Sequence, residues 1–152
     1  MRIGLYGGTF DPIHLGHLRA AETAREGMGL DLVAFLPAAV PPHRSTPPGA
    51  AADRLAMARL ATASHPRFEA WDAELRRPGP SYTVETVAAL LSERPSDSFV
   101  LVVGADTWPE MTTWREPERL FSLVETGVAE RPGSPLETLR PPFPSSRPVH
   151  TR

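Results

Sequence analysis

The chain has 152 residues, 16 basic against 18 acidic, and a net charge of −2, which gives no global reason to expect nucleic acid or a membrane surface as partner. It contains no cysteine, so disulfides, zinc–thiolate sites and cysteine nucleophiles are excluded. It also contains no lysine: all 16 basic residues are arginine, and any phosphate contact usually given to lysine falls to arginine. The length suits one domain around a single core. No basic-then-apolar leader opens the sequence, and no apolar run nears the roughly 18 residues that span a bilayer. A soluble cytoplasmic protein is therefore expected.

In chain order, Ile3–Tyr6 is a short apolar run closed by Gly7-Gly8, which suits a buried strand. From about Gly16, small and apolar residues recur at helical spacing, and Gly27 and Gly29 end that helix. LDLVAFLP is a second strand, stopped by Pro37. LPAAVPPHRSTPP holds five prolines between Pro37 and Pro48 and reads as a structured loop. Asp53 is placed to cap the helix RLAMARLATAS. RFEAWDAEL is a third strand with an exit loop, and SYTVETVAALLSE a helix with Ser81 or Thr83 as cap and Glu85 or Thr86 in its first turn. SFVLVVGAD is the clearest strand, EPERLFSL a short helix, and LVETGVAE a fifth strand. Six prolines between Pro132 and Pro148 make 134–152 a proline-rich, irregular tail behind a domain over 1–133.

Strands apolar on both faces, alternating with helices, imply an α/β, Rossmann-like open parallel sheet with helices on both faces. In such sheets ligands bind beyond the carboxyl ends of the strands, at the switch in strand order. The unusual segments all follow strands: GGTFDPIHLGH, PAAVPPHR, GADTW and ERPG. Their convergence on one edge is the main argument for a site.

GGTFDPIHLGH lacks both the dinucleotide GxGxxG and the Walker Gly-Lys-Ser/Thr. Its physics is related. Gly7 and Gly8 let a nucleotide approach the backbone, and the helix near Gly16 turns its positive end toward an anion. His14 precedes that helix and His17 lies in its first turn, where both can donate to phosphate oxygens; Gly16 leaves room between them. Histidines at a helix start also serve as caps, and the motif alone leaves both readings open. A metal pair has no third ligand nearby. Stiffened by prolines, the PPHR loop can present Arg44 as a clamp on phosphate, or simply as a solvated cation. GPSYTVET places Tyr82 and hydroxyl groups at a helix start, which receives a carboxylate or phosphate or is merely capped. Asp106, after a strand, is placed to accept from a ribose. Trp108 reads as core and Trp114, after two threonines, as a stacking surface.

Taken jointly, GGTFDPIHLGH, LPAAVPPHR, ELRRPGPSYTVET, GADTWPEMTTW and GVAERPG resemble the bacterial nicotinate-nucleotide adenylyltransferase family, within the HxGH nucleotidyltransferases, over about residues 1–133. The resemblance implies that ATP and nicotinate mononucleotide give nicotinate adenine dinucleotide and pyrophosphate, a late step in NAD synthesis. It implies Mg²⁺ held mainly by the ATP phosphates, and no metal ligands on the chain. It places Gly7, Gly8, Thr9 and Phe10 against the nucleotide and His14 and His17 on the triphosphate. Gly104 and Asp106 fall by the adenosine or its ribose, and Arg131 near the ATP pocket. Arg44 stands where the family usually has lysine, facing phosphates. Tyr82 and Thr83 would recognise the nicotinate carboxylate, with Trp114 stacked on the pyridine ring. His14, His17 and Arg44 are thereby the catalytic set.

The family usually continues through an ISSTxIR-like segment at a further helix start; RPPFPSSRPVHTR is not one. The resemblance therefore implies a sheet without its last strand and C-terminal helices. A longer chain, a changed reading frame or another chain would complete the phosphate site, and the apolar sheet surface left exposed leads to an expectation of marginal stability or a homo-oligomer. The alternatives are a catalytically impaired nucleotide-binding remnant and a different enzyme with a GTFDPxxxGH start, such as phosphopantetheine adenylyltransferase.

Overall fold

The computed structural model describes residues 1–39, 49–77, 82–104, 107–129 and 148–151, the last group by its backbone alone. Six strands, β1 (Arg2–Gly8), β2 (Leu32–Pro37), β3 (Phe68–Ala70), β4 (Ser98–Gly104), β5 (Glu125–Ala129) and β6 (Pro148–Thr151), form one sheet. Its order is β3-β2-β1-β4-β5-β6, every neighbouring pair is parallel, and the strand order reverses between β1 and β4. The helices are α1 (Leu15–Met28), α2 (Ala51–Thr62), α3 (Thr83–Glu93) and α4 (Pro117–Leu123), with a 3₁₀ turn over Trp108–Thr113.

The alternation of side chains along each strand sorts the core into two layers. Ile3, Leu5, Leu32, Leu36, Phe99, Leu101 and Val103 face Val84, Val87 and Leu90 of α3, with Trp108, Met111 and Leu120 beyond. Val33, Phe35, Val100 and Val102 face Ala21, Ala24 and Met28 of α1. Strands buried on both sides read as continuous apolar runs, which is why β2 and β4 are plain in the sequence. α1 ends where Gly29 adopts φ 62°, the left-handed cap that glycine fills without strain. Met28 then packs so close to β5 that a Cβ on Gly127 would lie 2.3 Å from its Sδ and Cε.

Several local expectations are corrected. The cap position of α2 is Ala50, which makes no side-chain bond, and Asp53 lies within the first turn. The cap position of α3 is Tyr82, whose phenol cannot fold back on the helix start; Thr83 is already helical, and Ser81 lies outside the described residues. Beside the five strands expected, Pro148–Thr151, within the stretch read as irregular, pairs with β5 from Thr126↔Pro148 to Ala129↔Thr151. Proline is tolerated there because it opens an edge strand, where its absent N–H breaks no ladder.

Candidate active site

The carboxyl ends of the central strands are level: Gly8 pairs with Pro37, and Gly104 with Ala129. Tyr6 pairs with Val102, so Gly8 and Gly104 flank the reversal of strand order. The loop after β1 is fastened to the loop after β2, since Ala38 N–H donates to Gly8 O at 2.9 Å. Gly7 is exposed, and a Cβ there would meet nothing nearer than 3.9 Å. At Gly8 a Cβ would press on the Phe10 ring at 3.2 Å. Open space for a ligand therefore lies over Gly7, while Gly8 is small for the sake of Phe10. Phe10 itself has φ 49° and is buried, held by rings on three sides. Its centroid is 5.7 Å from Tyr6, 5.7 Å from Phe35 and 5.0 Å from His17.

The two histidines form a reciprocal cap at the start of α1. His14 Nδ1 accepts from Gly16 N–H at 3.1 Å, and His17 Nδ1 accepts from His14 N–H at 3.0 Å. A backbone N–H only donates, so neither Nδ1 carries a proton, and each neutral ring holds its proton on Nε2. Neither Nε2 has a partner among the described residues. Capping and phosphate binding, open alternatives on sequence grounds, are thus compatible: one nitrogen of each ring fixes the helix start and the other presents an N–H. The rings stack at 3.8 Å and 26°, which disfavours charging both. Burial first, and His14 second, hold the His17 imidazole below the usual histidine range. Gly16 gives the space that its place in the motif implies: a Cβ there would lie 2.9 Å from His14 Cε1. No acidic residue stands in the first turn of α1 to oppose an anion.

Across the switch point, Tyr82 and Trp114 are both half-buried and pack on the α3-side core. Arg115 lies with its Cζ 4.7 Å from the Tyr82 ring centroid, so the segment after the 3₁₀ turn touches the start of α3. Thr83 opens that helix. Trp108 is fully buried against Phe121, at 5.5 Å and 82°, which is the core position expected of it. The structure thus gathers Gly7–Phe10, His14 and His17 at one end of the reversal and Tyr82, Thr83 and Trp114 at the other, with Gly104 at the end of β4. Arg44, Asp106 and Arg131 lie outside the described residues.

Two contributors escape sequence reasoning. Tyr6, stacked on Phe35 at 5.5 Å and 15°, backs both Phe10 and His17; as the end of an apolar strand it carries no visible signal. Arg54 is wholly buried and donates to Thr9 O at 2.8 Å. Its spacing of four to Ala58 and eight to Thr62, the other buried positions of α2, is a signal legible only once the inward face is known. Among the described residues no three His, Asp or Glu side chains gather as a metal cage, and no helix is long and apolar enough to cross a membrane.

An open parallel sheet with a histidine-capped helix start at its switch point fits a nucleotidyltransferase-type fold, and the family profile described as Cytidylyltransferase-like matches residues 5–151. A protein of Thermus thermophilus named "Probable nicotinate-nucleotide adenylyltransferase" is 49% identical over 137 residues, covering 90% of this chain and 73% of that one. A protein of the same name from Symbiobacterium thermophilum is 47% identical over 140 residues, covering 91% and 67%. The chain belongs to the nicotinate-nucleotide adenylyltransferase family. The solved structure titled "Plasmodium falciparum nicotinic acid mononucleotide adenylyltransferase complexed with NaAD" superposes with a TM-score of 0.80 at 18% identity, covering 98% of this chain and 74% of that one. At that identity the likeness is one of fold.

Proposed function

We propose that the chain transfers the adenylyl group of ATP to nicotinate mononucleotide, releasing pyrophosphate and forming nicotinate adenine dinucleotide for NAD biosynthesis in the cytoplasm. The observation that carries this is the paired histidine cap, whose two Nε2 atoms have no partner among the described residues, at the carboxyl edge of β1 in a chain 49% identical to a protein named "Probable nicotinate-nucleotide adenylyltransferase".

The mononucleotide's phosphate oxygen is already a nucleophile, so no covalent enzyme intermediate is needed. That oxygen forms a bond to the α-phosphorus of ATP as the bond from α-phosphorus to the bridging oxygen breaks, and the electron pair leaves with pyrophosphate. The chain's task is alignment and charge stabilisation. His14 and His17 donate through Nε2 to triphosphate oxygens, in rings that capping has already oriented. Tyr6 and Phe10 wall the His17 ring. Tyr82 and Thr83 receive the nicotinate carboxylate, and Trp114 covers the pyridine ring. Arg44 faces the phosphates, while Gly104, Asp106 and Arg131 border the adenosine. Mg²⁺ bound to the nucleotide phosphates would share the developing charge.

Pyrophosphate release tests this reading, with ATP and, in turn, nicotinate mononucleotide, nicotinamide mononucleotide and phosphopantetheine. Turnover with nicotinate mononucleotide is expected. Turnover with phosphopantetheine alone would replace the substrate. ATP binding by calorimetry without pyrophosphate release would favour the nucleotide-binding remnant.

A further inference from the structure

Phe10 stands two residues beyond β1, in the turn that leads to α1, at φ 49°. A bulky side chain gains nothing from that left-handed conformation and keeps it only where its surroundings over-determine it. Here they do. The residue is 3% exposed, so its ring offers no face on which a nucleotide could stack. Instead the ring meets Tyr6 at 59°, Phe35 at 61° and the His17 imidazole at 86° and 5.0 Å. Gly8 closes on it as well, since a Cβ there would lie 3.2 Å from both Cε1 and Cζ of the ring.

The neighbours of this ring differ in how far they yield. Phe35 is fully buried, and Tyr6 is fixed in β1 and stacked on Phe35. His17 is half-buried at a helix start and has the most freedom of the three. A push on the Phe10 ring from Gly8 therefore passes to the imidazole, because a close-packed interior transmits strain rather than absorbing it. His17 Nδ1 accepts from His14 N–H at 3.0 Å, so a displaced ring both weakens the cap and re-aims Nε2. We propose that Phe10 is a positioning residue: its buried ring carries the shape of the Gly7-Gly8 turn to the His17 imidazole, and Gly8 is a glycine so that this ring stands where it does. The role rests on the reading that His17 donates to the triphosphate.

The test combines Gly8→Ala with Phe10→Leu, which removes the ring and keeps an apolar side chain, in the full chain. Nitrogen-15 and proton NMR of the imidazoles, without nucleotide and at about pH 7.5, reads the ring itself. Gly8→Ala is expected to move the His17 signals. Those of His65, stacked on Phe68 two rings beyond Phe35, stay in place. With Phe10→Leu present, Gly8→Ala leaves the His17 signals where Phe10→Leu alone puts them. In pyrophosphate release, Gly8→Ala alone lowers kcat/KM about tenfold, within the range that a misplaced contact costs. In the Phe10→Leu background it costs no more than about twofold, because both changes act through one ring. Should Phe10→Leu not fold, Phe10→Met, an adaptable unbranched side chain, takes its place. His17 signals that ignore Gly8→Ala overturn the proposal, as does an equal displacement of His65. So does a Gly8→Ala loss of the same size with and without the ring, which would make Gly8 a point of nucleotide approach alone. The NMR arm needs no turnover, so a chain that makes no dinucleotide still reports on Phe10.

Discussion

The starts of α1 and α3 lie at the same sheet edge, on either side of the strand reversal, and they are finished in opposite ways. α1 begins with a reciprocal side-chain cap built from two imidazoles. α3 begins at Tyr82, with no side-chain cap bond among the described residues. A Ser or Asp cap on α1 would satisfy the helix equally well but have nothing left to give a phosphate; histidine has a second nitrogen. The start of α3 carries Glu85 in its first turn and lies beside Tyr82 and the Trp114–Arg115 segment; in the proposed reaction this start would receive the nicotinate carboxylate. In that reaction the start of α1 would serve oxygens that carry growing charge, and the start of α3 a carboxylate that does not react.

If that division holds, His17→Ala gives the largest effect: kcat falls about 10²-fold or more, the scale of one lost transition-state donor. The fold persists, as circular dichroism and thermal melting would check. Gly16→Ala comes next. The new Cβ crowds His14 Cε1 at 2.9 Å and displaces the ring. A drop of about tenfold in kcat/KM is expected. Stability changes little, because an alanine gain of up to ~1 kcal/mol offsets a cap loss of about the same size. A variant that keeps full activity would show that the His14 ring need not stay where the cap holds it.

At the other start, Trp114→Ala raises the KM for nicotinate mononucleotide roughly 3- to 10-fold, from a ring contact of about 0.5–1.5 kcal/mol, and leaves the KM for ATP nearly unchanged. Equal increases for both substrates would erase the distinction between the two helix starts. The smallest effect is on pH dependence. His17 is harder to protonate folded than unfolded, chiefly through burial. Its contribution to stability is therefore full above the unfolded value of 6.5 and declines as pH falls from there toward the folded value, where the unfolded chain binds more protons. Denaturant titrations between pH 7.5 and about 5 would show that slope. His17→Gln, which keeps an acceptor at the third helical position and does not titrate, removes it.

Much of this was legible in the residues. SFVLVVG announced β4 because a strand covered on both faces is apolar throughout, and GGTFDPIHLGH announced a strand-turn-helix because glycines close the strand and histidine can cap the helix start. What escaped were arrangements fixed by tertiary contact. Pro148–Thr151 falls in the stretch read as irregular, yet an edge strand has room for a leading proline. Ala50 offers no capping signal, and Asp53, the better cap by type, falls inside the helix. The hydrogen bonds of Arg54 reach main-chain carbonyls 5, 15 and 45 residues away, which no local pattern encodes. The histidine motif was visible as a motif, but its protonation became readable only when each Nδ1 was seen accepting a backbone N–H.

The central claim is that His14 and His17 are neutral and present Nε2–H to the triphosphate. Nitrogen-15 NMR of imidazole-labelled protein near pH 7.5 tests it directly, with and without ATP and Mg²⁺. Both rings should show a bare Nδ1 and a protonated Nε2 in the free protein, and both Nε2 signals should shift when ATP binds while the Nδ1 signals keep their unprotonated character. A proton on Nδ1 of either ring in the free protein, or Nε2 signals that ignore ATP, would contradict the account.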